Sequence, residues 1–159
     1  MGFEFVSQFP EWHHVLLRVK DADLSIHFYS NYLGMAAVLD QKDNDGARWV
    51  WLRFSENPTA PFLVLKEENA PKQPLASPHL PLFSFRLSDL KPVEEIGAKA
   101  KEEGCLVEAA HYGGHMRGYF CLLSDPDGYL LEFAYVLTPK PGQLIFLSED
   151  PVPLNHPHL

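Results

Sequence analysis

One carboxylate lies in the middle of an otherwise apolar segment. Glu132 belongs to segment 129–136, whose other members are all aromatic or aliphatic. An unpaired charge on an apolar surface is costly, so Glu132 requires a cation, a hydrogen-bonding partner or water. A bound metal ion is one cation that would meet this requirement.

Residues 125–128, just before this segment, have the composition of a tight turn. In Asp125-Pro126-Asp127-Gly128, proline presets φ at the second position, aspartate caps the first and glycine closes the fourth. Apolar segments with a period of two, 119–123 and 129–136, flank the turn and predict a β-hairpin. Glu132 then lies on the strand face opposite the tyrosines of its own segment.

A histidine and an arginine share one face of another predicted strand. In segment 13–19, His14 and Arg18 point one way and the valines point the other. An arginine in a cleft can bind an anionic ligand through two parallel hydrogen bonds, or it can pair with a carboxylate such as Glu132. Arg86 takes the equivalent place in segment 82–87, and the alternation leaves both roles open for both arginines.

Composition and charge exclude several classes of protein. The chain has 159 residues, a formal charge of −8 and an apolar fraction of 46%. The negative charge argues against binding to nucleic acid or to anionic membranes, and no apolar run reaches the ~20 residues of a membrane helix. There is no signal peptide pattern at the start. Cys105 and Cys121 have no paired spacing, which predicts reduced thiols in a cytoplasmic protein.

The sequence predicts the same order of a helix and strands in each half of the chain. Asp21 or Asp23 caps a first helix with Leu24, Phe28 and Tyr32 as its buried stripe. The prolines of segment 69–81 mark a linker between the two halves. The predicted strands are 13–19, 36–40, 47–54, 62–66, 82–87, 106–110, 119–123 and 129–136, and the predicted helices are 24–33 and 90–103.

The two halves also match in sequence. Arg-Val-Lys-Asp at 18–21 corresponds to Arg-Leu-Ser-Asp at 86–89, so the chain contains an internal repeat. We predict an α+β fold of two β-α-β-β-β modules, residues 12–68 and 82–137, whose mixed sheets form a half-open barrel around a cleft. Residues 138–159 are predicted to be a proline-rich tail that lies on a surface or a partner.

The repeat, with HVLLRVKDADLSIHFYSNYLGM at 14–35 and SDPDGYLLEFAYV at 124–136, resembles the vicinal oxygen chelate superfamily over about residues 12–137. That superfamily includes glyoxalase I, bleomycin- and fosfomycin-resistance proteins and extradiol dioxygenases. The resemblance implies metal ligands on the first and last strands of each module. His14 and Glu132 match two such positions, whereas Leu65 and Leu82 occupy the other two and cannot ligate a metal.

The resemblance therefore implies one divalent ion, Fe, Mn, Ni or Zn, held by His14, Glu132 and a further ligand, or no metal at all. Glu67 could supply that ligand or simply lie at a solvated strand end. For His79, an exposed position in the loop is favoured over a metal-ligand role. His111 and His115 flank a Gly-Gly pair, and a substrate-contact role is favoured over a ligand role for this loop.

Other residues are candidates for contact with a substrate rather than a metal. The set comprises Arg18, Leu65, Leu82, Arg86 and His115. Trp49 and Trp51 share a strand face with Arg53; if that face lines the cleft it provides an aromatic wall for a flat ligand, and if it meets the helix it is core. The alternation does not choose between these two.

Three functions remain open from the sequence. The first is a metal-dependent glyoxalase- or dioxygenase-type enzyme, a lyase or an oxidoreductase, acting on a small oxygen-chelating substrate. The second is a metal-free binding protein of the bleomycin-resistance kind, for which the acidic charge suits a cationic ligand. The third is a regulatory paralogue without an active site. The resemblance also implies a homodimer, in which His14 of one chain faces Glu132 of the other.

Overall fold

The computed structural model describes residues 12–55, 57, 59–68, 82–114 and 117–136. The predicted linker and tail, and His79 and His115, lie outside these residues. The elements are β1 (His14–Val19), α1 (Ala22–Leu33), β2 (Met35–Lys42), β3 (Arg48–Phe54), β4 (Phe62–Glu67), β5 (Leu82–Arg86), α2 (Leu90–Glu102), β6 (Leu106–Tyr112), β7 (Tyr119–Ser124) and β8 (Leu130–Tyr135).

The two modules have the same topology. The first sheet has the order β1-β4-β3-β2 and the second has the order β5-β8-β7-β6. In each sheet the first and last strands of the module run parallel, and the remaining neighbours run antiparallel. The sheets do not close into a barrel, so the predicted α+β fold of two repeated modules with half-open mixed sheets is confirmed.

Local signals fix both helices. The Asp21 carboxylate accepts a hydrogen bond from the Leu24 amide at 3.0 Å, and Gly34 ends α1 in the left-handed region with φ of 63°. Asp89 is the N-cap of α2, and its carboxylate accepts from the amide of the next residue, Leu90, at 2.7 Å. Neither helix in the described part of the chain is long and apolar enough to span a membrane.

The buried face of α1 differs from the prediction. Phe28 and Tyr32 are buried as expected, but Leu24 is 58% exposed. Ser25 and Tyr29 are buried instead. The prediction for Leu24 is wrong because the side chains of Ser25 and Tyr29 bind buried carboxylates, which hydrophobic periodicity does not register.

Those carboxylates belong to the turn between β7 and β8, which joins the two modules. Asp125 and Asp127 are 4% and 2% exposed. The Tyr29 hydroxyl donates to Asp125 at 2.7 Å, and the Lys20 amide donates to Asp127 at 3.0 Å. The Ser25 hydroxyl donates to Asp127 at 3.4 Å. The turn of the second module is thus fastened to the start of the first helix.

Burial shapes the acid–base properties of this contact. Desolvation raises the pKa of Asp125 above its ordinary value, although hydrogen bonds from Tyr29 and two backbone amides oppose the rise. Burial and the neighbouring carboxylate raise the pKa of Tyr29 as well. Tyr29 therefore remains a donor to Asp125 across the physiological range.

Replacing Tyr29 with phenylalanine tests the strength of this contact. Tyr29→Phe should lower the free energy of unfolding by about 1–3 kcal/mol, because Asp125 remains buried and loses a donor. Urea denaturation followed by circular dichroism measures the change. Tyr119→Phe, which removes an exposed hydrogen bond to Glu94, is the matched control and should change stability by about 0.5 kcal/mol or less. Equal losses in the two variants would contradict the assignment.

Candidate functional site

Each sheet has one face that α1 or α2 covers and one that neither of these two helices covers; we call the latter the open face. On the first module the open face follows from the register of β1 with β4 and of β4 with β3. His14, Leu16 and Arg18 align there with Phe62, Val64 and Lys66. Residues of β3 complete the open face of module 1: Trp49, Trp51 and Arg53.

An aromatic cluster occupies this face. The Trp51 ring lies 5.4 Å from His14, 5.6 Å from His13 and 5.3 Å from Phe62, centroid to centroid. The Nδ1 atoms of His13 and His14 are 2.9 Å apart. The two tryptophans therefore lie on the open face and not against the helix, which decides between the two alternatives that the sequence left open.

Cations border the aromatic cluster. The Lys66 ammonium lies 5.3 Å from the Trp49 ring centroid and 3.2 Å from Glu68. Arg18 has a side chain that is 52% exposed and lies 3.8 Å from Glu68. The Trp49 indole N–H donates to Asp43 at 2.7 Å, and this hydrogen bond lowers the pKa of that exposed carboxyl. The Trp49 ring is thus held by Lys66 on its face and by Asp43 at its indole nitrogen.

The open face of module 2 contains Glu132. Register places Leu82, Ser84 and Arg86 beside Leu130, Glu132 and Ala134. The Glu132 side chain is only 7% exposed. Its Oε1 accepts a hydrogen bond from the Ser84 hydroxyl at 2.8 Å, and its Oε2 accepts two from Arg117, from Nε at 2.8 Å and from Nη2 at 2.5 Å. The cation that the sequence required for Glu132 is an arginine.

Arg117 is held by a second contact. Its guanidinium carbon lies 3.6 Å from the centroid of Phe120, which is fully buried. The next residue, Gly118, has φ of 69°, and a Cβ at that position would lie 2.2 Å from the carbonyl oxygen of Tyr135. Only glycine fits so close to the end of β8. The backbone beside Arg117 is thereby fixed against the sheet.

The residues that the structure describes do not fit a metal centre. Among the residues that the structure describes, no three His, Cys, Asp or Glu side chains come together in a group that could hold a metal ion. Both oxygens of Glu132 are engaged by Ser84 and Arg117. A guanidinium bound to the carboxylate repels a divalent cation from the same oxygen. His14 lies on the other sheet.

Leu65 is placed differently from the prediction. It pairs with Leu17 across the parallel strands β1 and β4, and it is fully buried in the core on the helix side. The expectation that it contacts a substrate in the cleft is therefore wrong. Glu67 lies on that side too, where its carboxylate accepts a hydrogen bond from the Ala22 amide at 2.9 Å.

The other predicted residues are distributed over both open faces. Arg18 lies on module 1, and Leu82 and Arg86 lie on module 2, where Leu82 is 48% exposed. His111 packs on Phe120 with ring centroids 4.7 Å apart, and its Nε2 lies 3.2 Å from Glu108. Their contact with a ligand remains a prediction.

Sequence reasoning missed Arg117 and Ser84. The lone carboxylate in an apolar strand indicated that a cation, a hydrogen-bonding partner or water was needed, but it did not identify the partner. Ser84 shares a row with Glu132 across β5 and β8, and the alternation in segment 82–87 carries that signal. Arg117 comes from the loop before β7, whose path the sequence does not specify.

Removing the arginine tests whether it is the partner on which Glu132 depends. Arg117→Met should lower the free energy of unfolding by about 1–3 kcal/mol, because it leaves a buried carboxylate without its cation. The double variant Glu132→Leu/Arg117→Met should recover most of the loss. Lys91→Met, which removes an exposed charge from α2, should change stability by about 0.5 kcal/mol or less. A double variant no more stable than Arg117→Met would contradict the assignment.

Comparison with known proteins agrees with the fold. The model of the Glyoxalase/Bleomycin resistance protein/Dioxygenase superfamily matches residues 12–133. The uncharacterized protein PA2024 of Pseudomonas aeruginosa is 32% identical over 133 residues, which cover 84% of this chain and 94% of that protein.

Two solved structures have the same architecture. A glyoxylase/bleomycin resistance protein/dioxygenase domain from Frankia sp. EAN1pec matches with a TM-score of 0.65 and 17% identity, over 82% of this chain and 94% of that one. The trypanothione-dependent glyoxalase I of Leishmania major matches with a TM-score of 0.62 and 22% identity, over 80% of this chain and 87% of that one. At these identities the likeness shows the fold alone. With the family model matching most of its length, the chain belongs to the Glyoxalase/Bleomycin resistance protein/Dioxygenase superfamily.

Proposed function

We propose that this chain is a small-molecule-binding member of its superfamily that works without a metal. The observation that supports the proposal is the hydrogen bonding of the Glu132 carboxylate. This carboxylate stands at the position implied for a metal ligand, yet Arg117 and Ser84 satisfy both of its oxygens. The charge of Glu132 is therefore compensated by the chain itself.

The open face of module 1 supports binding of a flat, aromatic ligand. Trp51, His14 and Phe62 present several rings on one surface within stacking distance of one another. Aromatic rings contribute large contact areas and prefer offset or edge-to-face neighbours. A surface of this kind with a few polar groups at its margin is the usual composition of a small-molecule site.

The charges at that margin do not favour a cationic ligand. The net charge of the chain is −8, but the side chains around the tryptophans include Arg18, Arg53 and Lys66. Of the nearby carboxylates, Glu68 is already within 4 Å of both Arg18 and Lys66, and Asp43 accepts the hydrogen bond of the Trp49 indole. The local field, and not the net charge, determines which ligand such a face attracts.

A metal-dependent enzyme is the second candidate, and one observation favours it. His14 is exposed on an open face, as a metal ligand from one chain would have to be if Glu132 came from the partner subunit of a homodimer. That arrangement requires Arg117 to leave Glu132. The metal content of the protein decides between the two candidates.

Elemental mass spectrometry of the untagged protein is the first experiment. We expect no stoichiometric metal in the purified chain, and none after incubation with Fe(II), Mn(II), Ni(II) or Zn(II) followed by desalting. His14→Ala and Glu132→Ala should give the same result as the native chain. One ion per chain in the native protein, lost in both variants, would overturn the metal-independent proposal and establish the second candidate.

Substitution of Trp51 tests the aromatic surface. Trp51→Leu should weaken binding of a single-ring probe, benzyl alcohol, by about tenfold or more, since one good stacking contact contributes about 1 kcal/mol beyond the contact area that is also lost. Changes in the indole N–H signals of the protein by NMR report the binding. Trp12→Leu is the matched control, because Trp12 is 79% exposed. Equal affinity in the Trp51 variant and the native chain would contradict the assignment of the surface.

A further inference from the structure

We propose that Arg117 binds an oxyanion, a carboxylate or a phosphate-type group of the ligand, on the open face of module 2. This inference rests on the proposed function in one respect, that Glu132 holds Arg117 and not a metal. In this chain a guanidinium would then provide the positive centre of the site. Glu132 and Phe120 act as positioning residues for it.

Glu132 is bonded to only one edge of the Arg117 guanidinium. An arginine has five N–H donors in a rigid planar fork. Nε and Nη2 donate to the same carboxylate oxygen of Glu132 at 2.8 and 2.5 Å. Both N–H groups of Nη1 and one of Nη2 remain, and one N–H from each nitrogen forms the end-on edge of the plane. That edge has the spacing that suits two oxygens of a carboxylate or phosphate.

The Arg117 side chain is more exposed than the carboxylate to which it is bonded. The Arg117 side chain is 40% exposed, whereas Glu132 beneath it is 7% exposed. Within the described residues, the hydrogen bonds and ion pairs of the Arg117 side chain all go to Glu132, and its ring contact is with Phe120. One edge of the fork is therefore bonded to Glu132, and the side chain as a whole is partly accessible to solvent.

The Arg117 guanidinium is held in one orientation. The guanidinium is fixed by two hydrogen bonds on one side and by the ring of Phe120 on its face, 3.6 Å from the ring centroid. Ser84 in turn orients the carboxylate through its other oxygen. An arginine that is already held in one orientation loses little conformational freedom when a ligand binds, so its hydrogen bonds contribute more to affinity.

Arginine side-chain NMR tests the inference directly. With 15N-arginine labelling, the Nε–H signal of Arg117 is assigned by its disappearance in Arg117→Lys. The probes are benzoate, phenylphosphonate and benzyl alcohol, which share a ring and differ in charge. We expect saturable shifts of the Arg117 signal with one or both anions and none with benzyl alcohol. Benzoate alone would assign the site to carboxylates, and phenylphosphonate alone would assign it to phosphate-type groups.

Variants separate a specific site from general attraction of anions. Arg117→Lys keeps a cation beside Glu132 but loses the planar fork, and it should weaken anion binding about tenfold or more. Because variants at position 117 lack the Arg117 signal, isothermal titration calorimetry measures the anion affinity of the native chain and of every variant. Lys91→Met removes one charge from the far helix and should leave the affinity unchanged. The double variant Glu132→Leu/Arg117→Met removes the whole pair without leaving a buried charge, and it should lose the anion response while remaining folded by circular dichroism.

The possible failures are distinguishable. If benzyl alcohol binds and neither anion shifts the Arg117 signal, the inference is overturned while the proposed function stands. The inference is also overturned if anion affinity is unchanged in Arg117→Lys, or if it falls as much in Lys91→Met. Stoichiometric metal bound to Glu132 would overturn the inference and the proposed function together.

Discussion

The arrangement of the two modules depends on two buried aspartates in one tight turn. Asp125 and Asp127 receive hydrogen bonds from the Tyr29 and Ser25 side chains of α1 and from the Lys20 amide just before it. Carboxylates are costly to bury, so a turn of this kind is stable only while its partners are present. Each module has its own sheet, but the turn makes the position of one module a condition for the burial of charges in the other.

The same physical constraint recurs at Glu132 with a different outcome. Asp125 is satisfied by neutral donors, and burial raises its pKa. Glu132 is satisfied by a hydroxyl and a full positive charge. The first arrangement joins two modules, and the second holds a partly exposed guanidinium on the open face of module 2.

The repeat, the caps and the hairpin turn could be predicted from the sequence because they are local. Asp21, Gly34 and the 125–128 turn each act within a few residues, and the apolar period of two places Glu132 and His14 on the faces where the structure has them. Leu65 could not be placed this way. Alternation gives two faces without saying which is the core, and the parallel pairing of Leu65 with Leu17 decides it. Arg117 reaches Glu132 from a loop, and such a contact leaves no periodic signal.

The contrast between Arg117 and its neighbour Gly118 has a consequence for how the protein can evolve. Position 118 admits no side chain, because the carbonyl oxygen of Tyr135 occupies the space of a Cβ. Position 117 has no such restriction, since its side chain is partly exposed. The path of the backbone is thus fixed by Gly118, while the charge is set by the residue before it. On the proposed role of Arg117, paired codon changes at 117 and 132 would alter the kind of molecule that this face accepts, while Gly118 keeps the backbone in place.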